Sequence, residues 1–333
     1  MKKLIALILS VVSAFTVFAF SACGDKGDVT VKYYQDASAL VTALKEGDIA
    51  YGVLAEPAAS NLEKLTKDTK TWYRLDIQEL YDAETKNYPQ AVMLVKESVL
   101  NTYPQLVTGM KTKFADNTTW VAENAAQAIT KINEVFLPEG NTSTLKPAML
   151  NANVIANCNI SWQSAQDAKT AVKEYLNSII AIEKISASAA TDDLFYDGTA
   201  MGTFTADTVK VYAPDGAPAL AIAKFIAENE NFGTGKNFEY HVVAADKING
   251  IVEDGTGDIV ILPVNAASKK YNANTADPYK LVSVVTHGNL YLMCSENITE
   301  NDLKDKTVGM FGQGNVPDLT FKVVLDKLGY KFI

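Results

Sequence analysis

The chain has 333 residues, 39 of them acidic and 30 basic, for a formal net charge of −9, and 48% of its residues are hydrophobic. That balance argues against a nucleic-acid surface, which needs a basic stripe, and the apolar content is ample for packed cores. Length points to about two domains, and three cysteines in so long a chain exclude a disulfide scaffold.

Residues 1–22 read as a secretory signal peptide. Lys2 and Lys3 supply the charged start, Leu4–Phe20 the apolar stretch, and Phe20-Ser21-Ala22-Cys23 a lipobox. Cys23 is then the lipidated first residue of an exported chain, with 23–28 as a polar linker on the outer face of a bacterial cell membrane. The alternatives are an ordinary signal peptide with a chance cysteine, or a transmembrane anchor, for which the apolar run is short. Cys158 and Cys294 read as small buried hydrophobes.

Beyond the linker, Val29–Tyr34 is strand-like, Ser38–Glu46 a helix with Leu40, Val41 and Leu44 on one face, and Ile49–Leu54 a buried strand. Glu56-Pro57 turns into a helix over Ala58–Thr66, and Trp72–Ile77 and Tyr88–Val95 are further strands. The chain then turns helical: Ser98–Phe114, with Pro104 in its first turn, Thr118–Ile132, Leu145–Ala156 and Ser164–Ile182. Thr191–Thr205 is a connector. Alternation resumes with strand Val209–Ala213, the tight loop 214–218, helix Ala219–Glu228, strand Phe238–Val243, helix Ala245–Glu253 and strand Asp258–Val264. Strands Lys280–Val285 and Leu290–Cys294 bracket the loop Thr286–Asn289. Strand Thr307–Phe311, the glycine loop 312–317, helix Asp318–Leu328 and a strand beginning at Lys331 close the chain. Such alternation implies parallel sheets with right-handed crossovers.

One pattern occurs twice. GDIAYGVLAEPAAS at 47–60 and GDIVILPVNAAS at 257–268 each end a strand–helix–strand unit, so the chain is expected to hold two similar lobes. The unit that starts at 307 lacks its second half at the C-terminal end, and that half stands at 29–57. The expectation is one lobe split between the two ends of the chain: lobe II from 29–88 plus 299–333, and lobe I as the block 89–298, with crossings near 86–90 and 295–301.

The lipobox, VKVYAPDGAPALAIAKF, GDIVILPVN, DLKDKTVGMFGQGNVPD, ALKEGDIAYGVLAEP and YPQAVMLVKESVLNTYPQLV resemble segments of the substrate-binding proteins of ABC importers. The nearest group is the nitrate, sulfonate, taurine and thiamine-precursor one, and the segments span nearly the whole exported chain in a circularly permuted order. The resemblance implies an α/β, two-lobed, type II periplasmic-binding fold. It also implies parallel-rich sheets flanked by helices, a ligand cleft between the lobes, no cofactor, no catalysis, and a monomer that serves a membrane permease.

In open α/β sheets ligands bind at the carboxyl ends of strands, and helix N-termini favour anions. The loops at 214–218, 312–317 and 55–58 therefore make Asp215, Gly216, Ala217, Gly312, Gln313, Gly314 and Asn315 candidates for ligand contact, or else plain turn residues. Glu56 is a hydrogen-bond acceptor for the ligand or a cap for the helix at 58–66. Asn265 matches it in the other lobe, Tyr34 offers an edge, and His287 is a ligand contact or a loop histidine satisfied by backbone. No residues have metal-ligand spacing and no nucleophile elbow is visible. The sequence thus points to an extracytoplasmic receptor for a small anionic or zwitterionic solute. Its rivals are an enzyme on the same fold acting on thiamine-like compounds and a ligandless surface lipoprotein.

Overall fold

The computed structural model describes residues 26–333; the expected signal peptide and lipidated Cys23 lie outside the described residues. In chain order the elements begin with β1 (Asp28–Tyr34), α1 (Ala37–Glu46), β2 (Tyr51–Ala55), α2 (Ala58–Thr66), β3 (Tyr73–Asp76) and α3 (Ile77–Tyr81). Next come β4 (Pro89–Lys96), α4 (Glu97–Thr102), α5 (Leu106–Phe114), α6 (Asn117–Glu123), α7 (Ala125–Glu134), β5 (Phe136–Leu137), α8 (Ala152–Asn157), β6 (Ile160–Ser164) and α9 (Ala165–Ile182). They continue with β7 (Thr208–Pro214), α10 (Ala217–Ala221), α11 (Ala223–Glu228), β8 (Asn237–Val243), α12 (Ile248–Glu253), β9 (Ile259–Pro263), α13 (Val264–Lys270) and β10 (Tyr279–His287). The chain closes with β11 (Leu290–Cys294), β12 (Thr307–Phe311), α14 (Val316–Leu328) and β13 (Lys331–Phe332).

These elements make two mixed sheets flanked by helices. The smaller has the order β13-β1-β12-β2-β11-β3 and the larger β5-β8-β7-β9-β4-β10-β6. The two ends of the chain share the smaller sheet. β1 runs parallel to β12 from Thr30↔Thr307 to Tyr34↔Phe311, and β13 adds on its other side at Asp28↔Lys331. The repeat in the sequence is a repeat of topology: β8-β7-β9 in one sheet matches β1-β12-β2 in the other, and each group is followed by an antiparallel strand. The two Gly-Asp turns serve different ends. Gly47 closes α1 in the left-handed region at φ 86°, where a side chain is strained. Asp258 is instead buried against Lys96 Nζ at 2.8 Å and the Lys210 amide at 2.9 Å.

Three apolar clusters follow from this layering. One lies under the α4–α8 and α10–α11 face of the larger sheet, and a second under α1 and α2. The third runs without a break from Val53 and Val308 of the smaller sheet through α14 and α9 to Val92 and Leu262 of the larger. The lobes are therefore joined by a common core on one side.

The structure corrects several expectations. The sequence places Leu290–Cys294 in the 89–298 block, but β11 pairs with β2 and β3 in the smaller sheet. The second crossing is therefore Gly288-Asn289, not 295–301, where Ser295 is already hydrogen-bonded to Ala50. Alternation alone cannot show on which side of a short loop the chain changes sheet. Pro104 breaks its helix instead of starting it, because the residue before a proline is pushed out of the helical region; Tyr103 sits at φ −124°, ψ 70°. β6 is a strand inside a stretch that reads as helix and loop, held as an edge by β10.

Candidate functional site

The carboxyl ends of the parallel strands in both sheets point at the crossings. The start of β4 lies beside the end of β9 (Ala91↔Pro263), and the start of β11 beside the end of β2 (Leu290↔Ala55). The crossings are bonded to each other: the Gly288 amide donates to Tyr88 O at 2.9 Å. A Cβ on Gly288 would stand 2.5 Å from the Tyr88 ring and 2.6 Å from Gln78 Cγ, so only glycine fits there. Gln78 Oε1 accepts from the Leu290 amide at 2.8 Å.

On one side of the crossings the lobes meet through the shared apolar core. Tyr175 of α9 stacks on Tyr88 at 5.3 Å and hydrogen-bonds Thr320 of α14 at 2.6 Å. On the other side they meet through polar contacts around a cleft of about 430 Å³ between α2 and the segment 148–157. Lys64 Nζ reaches Ala148 O across it at 2.6 Å, and Ser60, Asn61, Glu63, Lys67 and Asn151 line it. That volume falls within the range of small-molecule sites.

None of the candidate residues lines this cleft. Glu56 stands directly behind it: its carboxylate accepts from the Ser60 amide (3.1 Å) and hydroxyl (2.8 Å), from Arg74 Nη1 (2.7 Å) and from Asn157 Nδ2 (3.5 Å). It caps α2 and is wholly buried. Arg74 also forks onto Glu63 at 2.6 and 2.8 Å and lies over the Tyr291 ring. Burial works against its charge, and the bonds to Glu63 and Glu56 outweigh it, so the guanidinium is held charged. Arg74→Met is expected to lower stability by about 1.5–3 kcal/mol, because the Glu56 carboxylate keeps its burial and loses its cation; urea unfolding measures it, and a loss under about 0.5 kcal/mol contradicts the assignment.

Asp215 is taken by its own lobe: it accepts from the Ser143 hydroxyl, the Thr144 amide (2.8 Å) and the Thr144 hydroxyl (2.7 Å). Gly216 precedes the five-residue α10 at φ 104°, and Ala217 is buried. In the glycine loop, Gly312 and Gly314 have φ 67° and 73°. The amides expected to face a ligand turn inward instead. Gly314 N donates to Asp318 Oδ2 at 2.8 Å and Asn315 N to Gly312 O at 2.9 Å. Asp318 supplies the anion at the N-terminus of its own helix, and Tyr33, not Tyr34, donates to it at 2.9 Å. Gln313 is exposed, and the Tyr34 hydroxyl is buried without a partner among the described residues. Asn265 and the glycine loop do meet across the lobes: Asn265 Nδ2 donates to Ser186 O at 3.0 Å and Gly314 O at 3.3 Å, with Oδ1 unpaired.

His287 ends β10 at the crossing and is 4% exposed. In a neutral ring with the proton on Nε2, Nε2–H donates to Gln163 Oε1 (3.2 Å) and Nδ1 accepts from the Ser161 hydroxyl (3.1 Å), so both ring nitrogens are satisfied. Burial pushes its pKa down to about 4, against a small opposing effect of the backbone bond to Asn159. Between pH 6.5 and about 4 the unfolded chain binds a proton that the folded one refuses. Stability from this residue is thus full above pH 6.5 and lost as pH falls through that window, by on the order of 3 kcal/mol. The difference in urea stability between wild type and His287→Gln is expected to shrink over that range, and a pH-independent difference contradicts it.

Burial raises both thiols, Cys158 strongly and Cys294 to about 12, so neither is a ready nucleophile. Among the described residues, no group of three or more His, Cys, Asp or Glu is placed to hold a metal. What sequence reasoning missed is the cleft wall itself. Its signal is the run Asn151, Asn153, Asn157, of which the last two share a helix face at i, i+4.

The fold and site define a two-lobed α/β protein with a polar cleft between sheets that share a strand order. No family model and no curated protein matches the chain. Among solved structures it is similar to NikA from Brucella suis in complex with Fe(III)-EDTA, at 11% identity and TM-score 0.33, over 86% of this chain and 59% of that one. It is also similar to the oligopeptide-binding protein AppA from Bacillus subtilis, at 12% identity and TM-score 0.32, over 79% and 55%. NikA from Staphylococcus aureus, in complex with Ni(L-His)2, gives 10% identity and TM-score 0.33, over 82% and 59%. The chain spans between 55% and 59% of the length of these structures.

Proposed function

We propose that this protein is the extracytoplasmic solute-binding component of an ABC importer, with a type II periplasmic-binding fold in permuted order. It is lipid-anchored through Cys23 and acts as a monomer. It closes its lobes on a small anionic or zwitterionic organic solute of the sulfonate, taurine or pyrimidine-precursor class and passes it to a membrane permease. The observation that carries this reading is the meeting of two sheets of like strand order across two short crossings, with a 430 Å³ cleft between α2 of one lobe and the segment 148–157 of the other. Hinge closure about such crossings is a common ligand response. Buried, high-pKa thiols weigh against the enzyme reading.

A ligandless surface role draws support from the inward-turned amides of the glycine loop. Thermal-shift screening against sulfonates, taurine, nitrate and pyrimidines separates the two. A solute present at 100 times its Kd stabilises by about 2.7 kcal/mol, which is several degrees in a chain of this size. If none of these solutes shifts the melting temperature, the receptor reading falls and the scaffold reading gains.

A further inference from the structure

We propose that the cleft between α2 and α8 holds the solute's charged group, and that the solute is a small monoanion with hydroxyl or amide groups along its body. This rests on the solute-binding reading and deepens it. The charges around the cleft do not cancel. Glu56 and Glu63 are both spent on Arg74, and Lys64 and Lys67 stand on the same helix face or just past its end. Three cations against two carboxylates leave one positive charge, in a chain whose total is −9. A monoanion neutralises that charge. A dianion would leave an excess negative charge beside Glu63, and a cation would meet the lysines.

The facing wall offers a donor at Asn151. Asn151 Oδ1 is occupied by the Asn153 and Val154 amides at 3.0 and 3.1 Å, so its remaining function is to donate. Asn61 and Asn153 add carboxamides that accept or donate. Met149 and Val154 give only a short apolar floor. The cleft lies opposite the shared core, so its walls belong to different lobes and can part without breaking that core. Lys64, already bonded to Ala148 O across the gap, is placed to sense whether the walls have closed.

The test is titration calorimetry with isethionate, D-gluconate and N-acetylglycine as monoanion probes, and with taurine, succinate and choline as a zwitterion, a dianion and a cation. At least one of the three monoanions is expected to bind saturably. Lys67→Glu and Asn61→Asp, both of which leave the fold's hydrogen bonds in place, each put an anion beside the bound one and are each expected to weaken binding about tenfold, which is about 1.4 kcal/mol. The same charge reversal at Lys111, exposed on α5 and absent from the cleft lining, is expected to leave Kd within about twofold, since salt screens exposed charges. Equal binding to wild type and both cleft variants overturns the site while leaving the receptor reading intact. Binding only of taurine, succinate or choline overturns the monoanion class. Failure of every probe overturns the proposal alone; the receptor reading stands or falls on the thermal-shift screen, which includes nitrate and pyrimidines.

Discussion

Lys322→Met is expected to destabilise the protein by about 3–5 kcal/mol, the cost of leaving a buried charge without its partner. Lys322 lies on α14 and bonds Asp318 Oδ2 at 3.0 Å within its own helix and Glu183 Oε2 at 3.0 Å at the end of α9. Asp318 has no exposed side-chain surface, whereas Glu183 keeps about a third of its own. Burial opposes the Lys322 charge, and the bonds to Asp318 and Glu183 overcome it, so the ammonium is held well above its usual pKa. Removing it strands Asp318, which then retains only the Gly314 amide and the Tyr33 hydroxyl. In an Asp318→Asn background the same substitution is expected to cost less than half as much, because the stranded charge is gone. Urea unfolding of the four proteins measures this. A loss below about 1 kcal/mol, or an identical loss in both backgrounds, contradicts the account.

Tyr175→Ala is expected to cost about 3–5 kcal/mol, in the range for truncating a buried aromatic side chain. The ring is fully buried, stacked on Tyr88 at 5.3 Å and edge-on to Tyr81 at 5.6 Å. Its hydroxyl holds Thr320 on the other lobe. Tyr175→Phe keeps the packing and is expected to cost only about 0.5–1.5 kcal/mol for the lost hydrogen bond. Because the apolar cluster around this ring includes side chains from both sheets, calorimetry is expected to show one cooperative transition for wild type. Two separate transitions would show that the lobes do not share a core.

Much of the fold was legible because it rests on periodicity and on a repeat. The apolar runs of β2, β4 and β9 mark strands buried on both faces, and the repeated Gly-Asp motif marks the two groups of like strand order. The site was less legible, since a polar side chain's destination depends on partners far along the chain. Glu56 pairs with Arg74 and Asn157, and Asp215 with Ser143 and Thr144, 72 and 71 residues away. His287 rests on Ser161 and Gln163, more than 120 residues away. The role of Asp318 was the exception. An acidic residue at the third helical position after Asn315-Val316-Pro317 reaches back to the loop amides, as in a capping box, and it could have been read as the occupant of its own helix terminus.

Closure of the lobes on a solute is tested most directly by the distance between nitroxides placed at Lys45 on α1 and Glu123 on α6, both exposed and on opposite lobes, measured by double electron–electron resonance. The buried Cys158 and Cys294 leave the engineered sites free to be labelled once Cys23 is replaced by serine. A longer or broader distribution in the solute-free protein that collapses to one shorter distance with a small organic anion is the predicted result. The same distribution with and without every anion that binds would show that the lobes form one rigid body and do not close on a solute.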